Sequence, residues 1–216
     1  MAAANRDLLL QGARQLRLDV SEKDLQLLLA YLGELLKWRR KVNLIARDTP
    51  EAQVIENHFL DSLTLQPFFQ GKEAHLLDVG TGAGFPGLVL ACVLPQVRFT
   101  LVEPRQKRVS FLRHVIRTLG LSNTEVVADR VEPHLKEWQG RFTHITSRAV
   151  AEPGLFLPLI RDLVTPQTRV LLMLAHEEAL TGVESIDGGC WQVLEQHLLR
   201  LPFSSAPRLL AVVGTA

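Results

Sequence analysis

The run Asp78-Val79-Gly80-Thr81-Gly82-Ala83-Gly84-Phe85-Pro86-Gly87 restricts the fold of this chain more than any other stretch. Glycines spaced two apart lose more backbone freedom on folding than other residues and offer no side chain to a core, so they mark a sharp turn. The largely apolar residues from His75 to Val79 have the length of a strand, and those from Gly87 to Leu94 have the character of a helix. Strand, glycine turn and helix make one βα unit, in which a ligand can approach bare backbone at the helix amino terminus. In open α/β sheets such ligands lie beyond the carboxyl ends of the strands, so the functional residues belong there.

The remaining chain supplies the rest of such a sheet. Strands are predicted from His75 to Val79, Val97 to Glu103, Thr124 to Ala128, Phe142 to Ser147 and Arg169 to Leu174. They alternate with helices predicted near Gly87 to Leu94, Gln106 to Leu119 (closed by Gly120), Pro153 to Leu163 and His176 to Val183. Two more strand-like runs, Trp191 to Leu199 and Arg208 to Val213, complete the sheet. Ahead of it, Leu25, Leu28, Leu29, Leu32, Leu35 and Leu36 recur at helical spacing behind Ser21, a good N-cap. Another helix is predicted from Thr49-Pro50-Glu51, with Thr49 as its cap and Pro50 in the first helical position. Residues 1–65 thus read as a helical cap and residues 66–216 as the α/β domain.

This division suits a chain of 216 residues, longer than the usual domain of about 100 to 150. With 47% hydrophobic and 22% charged residues it can bury a full core and falls outside the disordered class. Cys92 and Cys190 stand alone, so neither a disulfide framework nor a metal site is expected. Arg6, Asp7, Arg14 and Arg17 interrupt the leucines of the amino terminus, and no apolar run approaches the ~20 residues of a membrane span. A soluble cytoplasmic protein is expected.

The glycine run admits two cofactors. Gly82, Gly84 and Gly87 match the dinucleotide fingerprint G-x-G-x-x-G, but the match begins past the end of the strand and contains Pro86. Started at Gly80, the fingerprint fails at Phe85. An Asp at a strand tip followed by G-x-G-x-G resembles instead motif I of S-adenosylmethionine-dependent methyltransferases, whose backbone cradles the amino-acid half of the cofactor. Glu103, at the end of the second strand, is an acid able to accept both ribose hydroxyls of either cofactor, so it supports a nucleoside without choosing between them.

Beyond this motif the chain resembles the bacterial 16S ribosomal RNA guanine-N7 methyltransferases, the RsmG or GidB family, over most of its length. The residues that carry the resemblance are Lys37-Trp38, Asn43-Leu44, His58-Phe59-Leu60-Asp61-Ser62, the run from Leu77 to Gly87, Lys107-Arg108-Val109 with Phe111-Leu112, Arg130-Val131-Glu132 and Ser147-Arg148-Ala149. The resemblance implies an α/β fold, a class I S-adenosylmethionine methyltransferase (Rossmann-like) sheet with an N-terminal helical cap. It implies transfer of the methyl of S-adenosylmethionine to N7 of a guanine in 16S ribosomal RNA, by a monomer that meets the small ribosomal subunit. Asp78, Gly80, Gly82, Gly84 and Phe85 would form the cofactor loop, Glu103 would hold the ribose, Val131 and Glu132 would frame the adenine, and Arg148 would belong to the same site. Guanine N7 has no proton to remove, so positioning is expected to replace a catalytic base. The chain departs from the family at Leu174-Ala175, where Lys-Gly is expected, and no RNA contact from a basic tail after the last strand is expected.

A net charge of +1 is too small for bulk attraction to RNA, so any contact needs a local patch. Residues 98–149 hold ten Lys and Arg against five Asp and Glu, a net +5, whereas residues 150–216 hold four against seven, a net −3. Arg105, Lys107, Arg108 and Arg113, beside the cofactor strand tip, and Lys37, Arg39, Arg40 and Lys41 are the candidate phosphate contacts. The plain alternative for the second cluster is a helix carboxyl end that favours cations. His58, Asp61 and Ser62 fall at i, i+3 and i+4, so local contacts, or a pin between cap and sheet, explain them better than a hydrolytic triad. Trp38 reads as core, and His114, His134, His144, His176 and His197 show no ligand spacing. The rival functions are an NAD-dependent oxidoreductase, and an RNA-binding module that keeps the fold without catalysis because the lysine is missing.

Overall fold

The computed structural model describes residues 2–69, 73–148 and 152–215. Its centre is one seven-stranded sheet of β1 (His75–Val79), β2 (Arg98–Val102), β3 (Thr124–Val127), β4 (His144–Ser147), β5 (Arg169–Leu174), β6 (Trp191–Arg200) and β7 (Pro207–Thr215). The order is β3-β2-β1-β4-β5-β7-β6. Strands β1 to β5 are parallel, while β7 runs antiparallel to β5 and to β6. From β1 the chain builds outward to β2 and β3 and then returns to place β4 on the other side, which makes the carboxyl ends of β1 and β4 the switch point of the sheet.

All five residues of β1 are buried, as a strand covered on both faces requires. Alternation along it feeds two cores. Leu76 joins the one that holds α5 (Gly87–Val93), α6 (Gln106–Leu119) and the amino-terminal helices, whereas Leu77 and Val79 join the other, with Trp138, Trp191 and Phe156 and Leu157 of α7 (Pro153–Ile160). Gly120 ends α6 in the left-handed conformation that lacks a Cβ penalty.

In the amino-terminal part, α1 (Ala2–Gln15) buries Leu9 and Ala13, too narrow a stripe to stand out by periodicity. A capping box opens α2 (Glu22–Trp38): the Asp24 amide donates to Ser21 Oγ at 3.2 Å and the Ser21 amide to Asp24 Oδ2 at 3.0 Å. Next comes α3 (Glu51–Val54), for which Pro50, not Thr49, takes the cap position without any side-chain bond. The chain continues as a π-helical stretch (Ile55–Leu60) and then α4 (Asp61–Leu63). One further expectation is corrected. Residues 176–183 form no α-helix but a short 3-10 turn (Glu177–Leu180), because Thr181 leaves the helical region and Gly182 is left-handed at φ +81°.

The cap helices pack on the sheet rather than beside it. Tyr31 of α2 is fully buried between Phe59 and Phe85, and its hydroxyl donates to the Ala83 carbonyl inside the glycine loop. Replacing Tyr31 with Phe keeps the ring but leaves the buried Ala83 carbonyl without its donor. Tyr31→Phe is expected to lower unfolding stability by about 1–3 kcal/mol, read from urea melts.

Candidate functional site

The site is built at the tip of β1. Asp78 is fully buried there, and its Oδ2 accepts from the Thr81 hydroxyl at 2.6 Å and the Gly87 amide at 2.8 Å. The first bond curls the loop back, and the second ties the amino end of α5 to the strand. Any side chain at Gly87 would press its Cβ to 2.8 Å from Asp78 Oδ2. Gly84, at φ +99°, meets Leu88 and Tyr31 so closely that a Cβ would lie 2.7 Å from each. These two glycines therefore serve close packing beneath the loop, while Gly80 and Gly82, also at positive φ, turn its outer surface.

Glu103 follows β2 and faces this surface. Its Oε2 accepts from the Gly82 amide at 3.1 Å, its Oε1 from the Arg105 amide at 2.8 Å, and Arg108 stands 3.6 Å away. Only 2% of Glu103 is exposed, so the carboxylate is held rigidly with lone pairs left for a ligand's hydroxyls. Arg148 follows β4 on the other flank. It donates to the Asn57 carbonyl at 2.9 Å and to His58 Nδ1 at 2.7 Å, lies 3.9 Å from Asp61, and covers the Phe85 ring at 4.9 Å. Asp61 in turn accepts from Arg208 of β7 at 3.0 Å. His58 and Asp61 thus pin the cap to the sheet, and Ser62 Oγ donates to the His58 carbonyl within its own helix.

Between these groups opens a cleft of about 610 Å³, lined by Gly80, Gly82, Phe85, Glu103 and Arg148, by Arg105 and Arg108, and by the cap segment from Leu44 to His58. That volume lies in the range of about 300–1,000 Å³ typical of small-molecule sites. Of the expected cofactor residues, Gly80, Gly82, Phe85, Glu103 and Arg148 line it, whereas Asp78 and Gly84 lie under it. Val131 is buried in the second core, and Glu132 is exposed on a 3-10 turn (Glu132–His134) outside the cleft wall. Gln53 and Asn57 were not singled out by motif or charge, and Thr49 only as a helix cap. The sequence signals for this wall were Asn43-Leu44 and the run that begins at His58; the Asn43 carbonyl accepts from Arg108 at 3.2 Å and joins the cap to α6.

Of the two basic clusters, Arg105 and Arg108 line the cleft. Lys37 is paired with Glu34 at 2.6 Å and Arg39 donates to the Thr49 carbonyl at 2.8 Å, while Arg40, Lys41, Arg105, Lys107 and Arg113 are exposed without an ion pair among the described residues. No group of three His, Cys, Asp or Glu able to hold a metal occurs among the described residues. Leu174, where the family resemblance leads one to expect a lysine, packs against the second core.

Burial pushes the Asp78 carboxyl up to about 7, against the opposing bonds from Thr81 and Gly87 and the charge of Arg148. Its Oδ1 has no partner among the described residues. An acid whose folded pKa lies above its unfolded one binds its proton more tightly when folded, so its stabilisation is full below about pH 4 and is lost as the pH rises through about 7. Asp78→Asn keeps an acceptor for Thr81 and Gly87 but never ionises. It is expected to flatten the decline of the urea midpoint between about pH 4 and 8, and an unchanged slope would refute the protonation of Asp78.

Comparison with known proteins agrees with this geometry. The family described as rRNA small subunit methyltransferase G, GidB, matches residues 24–194. The chain is 40% identical to a ribosomal RNA small subunit methyltransferase G from Desulfotalea psychrophila, across 94% of this chain and 95% of that one. It is 42% identical to the protein of the same name from Ectopseudomonas mendocina, across 95% and 94%. Among solved structures, a precorrin-6Y C5,15-methyltransferase from Geobacter metallireducens GS-15 superposes with a TM-score of 0.56 at 12% identity, over 73% of this chain and 88% of that one. A variant of MtNAS in complex with S-adenosylmethionine does so with a TM-score of 0.59 at 20% identity, over 91% and 80%. At such identities the structural likeness speaks for the fold alone, but the match in sequence goes further. The chain belongs to the GidB family, rRNA small subunit methyltransferase G.

Proposed function

We propose that this protein transfers the methyl group of S-adenosylmethionine to N7 of a guanine in 16S ribosomal RNA, acting as a cytoplasmic monomer on the small ribosomal subunit. The observation that carries the reading is the rigid Glu103 carboxylate beside the turned backbone of Gly80 and Gly82, in a chain of this family. An acceptor-only group suits a ribose diol, and the open backbone suits a ligand that comes close. The donors on the opposite flank, Arg148 and His58, suit its amino-acid end.

When bound, S-adenosylmethionine supplies a sulfonium methyl carbon to which the in-plane N7 lone pair bonds as the carbon–sulfur bond breaks. No proton leaves guanine in that step, so the side chains of the cleft have to align and shield rather than act as a base. Rigid alignment is chemically sufficient, since well-oriented reactants lower barriers by on the order of 7 to 11 kcal/mol. Glu103 and the loop fix one end of the cleft, the Phe85–Arg148–His58 stack fixes the other, and the cap segment excludes water from one side. The exposed cations Arg40, Lys41, Arg105, Lys107 and Arg113, of which Arg105 lines the cleft, are the groups that RNA phosphates would meet.

Mapping N7-methylguanine in 16S RNA from cells with and without the protein tests the reaction directly: one site is expected to vanish. Intact cofactor binding with no lost methylation would favour the RNA-binding module. Glu103→Ala is expected to weaken S-adenosylmethionine binding by about 1.5–3 kcal/mol in calorimetry, the cost of losing a charged acceptor. Lys107→Gln and Arg113→Gln are each expected to lower the slope of log affinity for RNA against log salt by about 0.7 to 0.9, and unchanged slopes would remove these residues from the interface.

A further inference from the structure

His58 lies on the π-helical stretch and forms part of the cleft wall. A guanidinium can only donate, so the 2.7 Å contact from Arg148 makes His58 Nδ1 the acceptor. An imidazole whose Nδ1 accepts is uncharged and carries its proton on Nε2. Burial, and then the positive charge of Arg148, push this histidine down to about 3, so the ring stays neutral throughout the physiological range. Its face is fixed as well, because it stacks on Phe85 with 4.9 Å between centroids and 18° between planes. The ring is therefore clamped at one nitrogen and on one face, and its Nε2–H has no acceptor among the described residues.

Glu103 and Arg148 follow β2 and β4, which flank β1 on opposite sides, so the acceptor end and the donor end of the cleft are separated by about two strand spacings, roughly 10 Å. The inference rests on the reading that S-adenosylmethionine fills this cleft. That cofactor has a diol to offer an acceptor and a single anionic group, its carboxylate, to offer a donor. We propose that His58 Nε2–H, its tautomer set by Arg148, is the donor that binds the carboxylate of S-adenosylmethionine. A neutral donor holds that carboxylate without bringing another positive charge toward the sulfonium, which a lysine at this place would do.

Two substitutions separate the two nitrogens. His58→Asn keeps an amide oxygen near the Nδ1 position for Arg148 and has nothing at Nε2. His58→Gln restores an amide donor at the Nε2 position. Calorimetry of wild type and both variants is carried out with S-adenosylmethionine and with its decarboxylated analogue. The expected result is a roughly ten- to hundredfold loss of S-adenosylmethionine affinity in His58→Asn, little change in its affinity for the analogue, and recovery of most of the loss in His58→Gln. Equal affinities in His58→Asn and wild type, or equal losses for both ligands, would overturn the assignment while leaving the cofactor reading intact. Failure of wild type to bind either ligand would overturn both. A nitrogen-15 spectrum of the imidazole at neutral pH gives a second readout that needs no variant: a proton on Nε2 alone is expected, and one on Nδ1 would refute the mechanism.

Discussion

Asp78 Oδ2 accepts from Thr81 and from the Gly87 amide, and both the loop and the start of α5 depend on that one buried oxygen. Without it the glycines between would have many conformations of similar energy, since nothing in their side chains selects one. With it the loop is folded back against β1, and the Gly82 amide is placed where Glu103 receives it. The cost is a carboxyl group that has no exposure to water and whose other oxygen is unpaired among the described residues. Strain of this kind is typical of sites that need a backbone in a fixed shape.

The cap completes what the loop begins. Its π-helical stretch carries Glu56, Asn57 and His58, and α4 begins with Asp61; each of the four makes a polar contact with a distant strand end or hairpin. Glu56 Oε1 accepts from the amides of Phe203 at 2.6 Å and Ser204 at 2.8 Å, in the turn between β6 and β7. Asp61 is shared between Arg208 and Arg148, whose charges oppose the upward pull of burial on its carboxyl. Buried charges are tolerated only where they are paired, so this network fixes the cap's angle on the sheet. π-helical turns often occur at functional sites, and this one has the structural consequence of bringing His58 and the Asn57 carbonyl to Arg148.

For the methyl transfer proposed above, which would need alignment and no base, such rigidity is the relevant property. The cleft walls come from four parts of the chain, the loop after β1, the ends of β2 and β4, and the cap, and each is tied to another by at least one hydrogen bond. Arg105, on the cleft wall, is exposed and has no ion pair among the described residues.

The sequence by itself determined the elements whose signals are local. β1 and β5 have the bounds that their apolar runs indicate, α6 ends at Gly120 because glycine alone takes that conformation freely, and the Ser21 capping box needs only four consecutive residues. The glycine loop and Glu103 were legible for the same reason, as strand tips with residue types that restrict the backbone or accept hydroxyls. Tertiary structure decided what depends on neighbours remote in sequence. It placed β7 between β5 and β6, sent Asp78 and Gly84 beneath the cleft instead of into its wall, and buried Val131 in the second core. It also brought Asn57 and His58 to an arginine some ninety positions away, 91 and 90 residues in sequence. No periodicity or motif encodes such a pairing, because the interaction is selected by desolvating both partners together, and that happens only when the cap closes on the sheet.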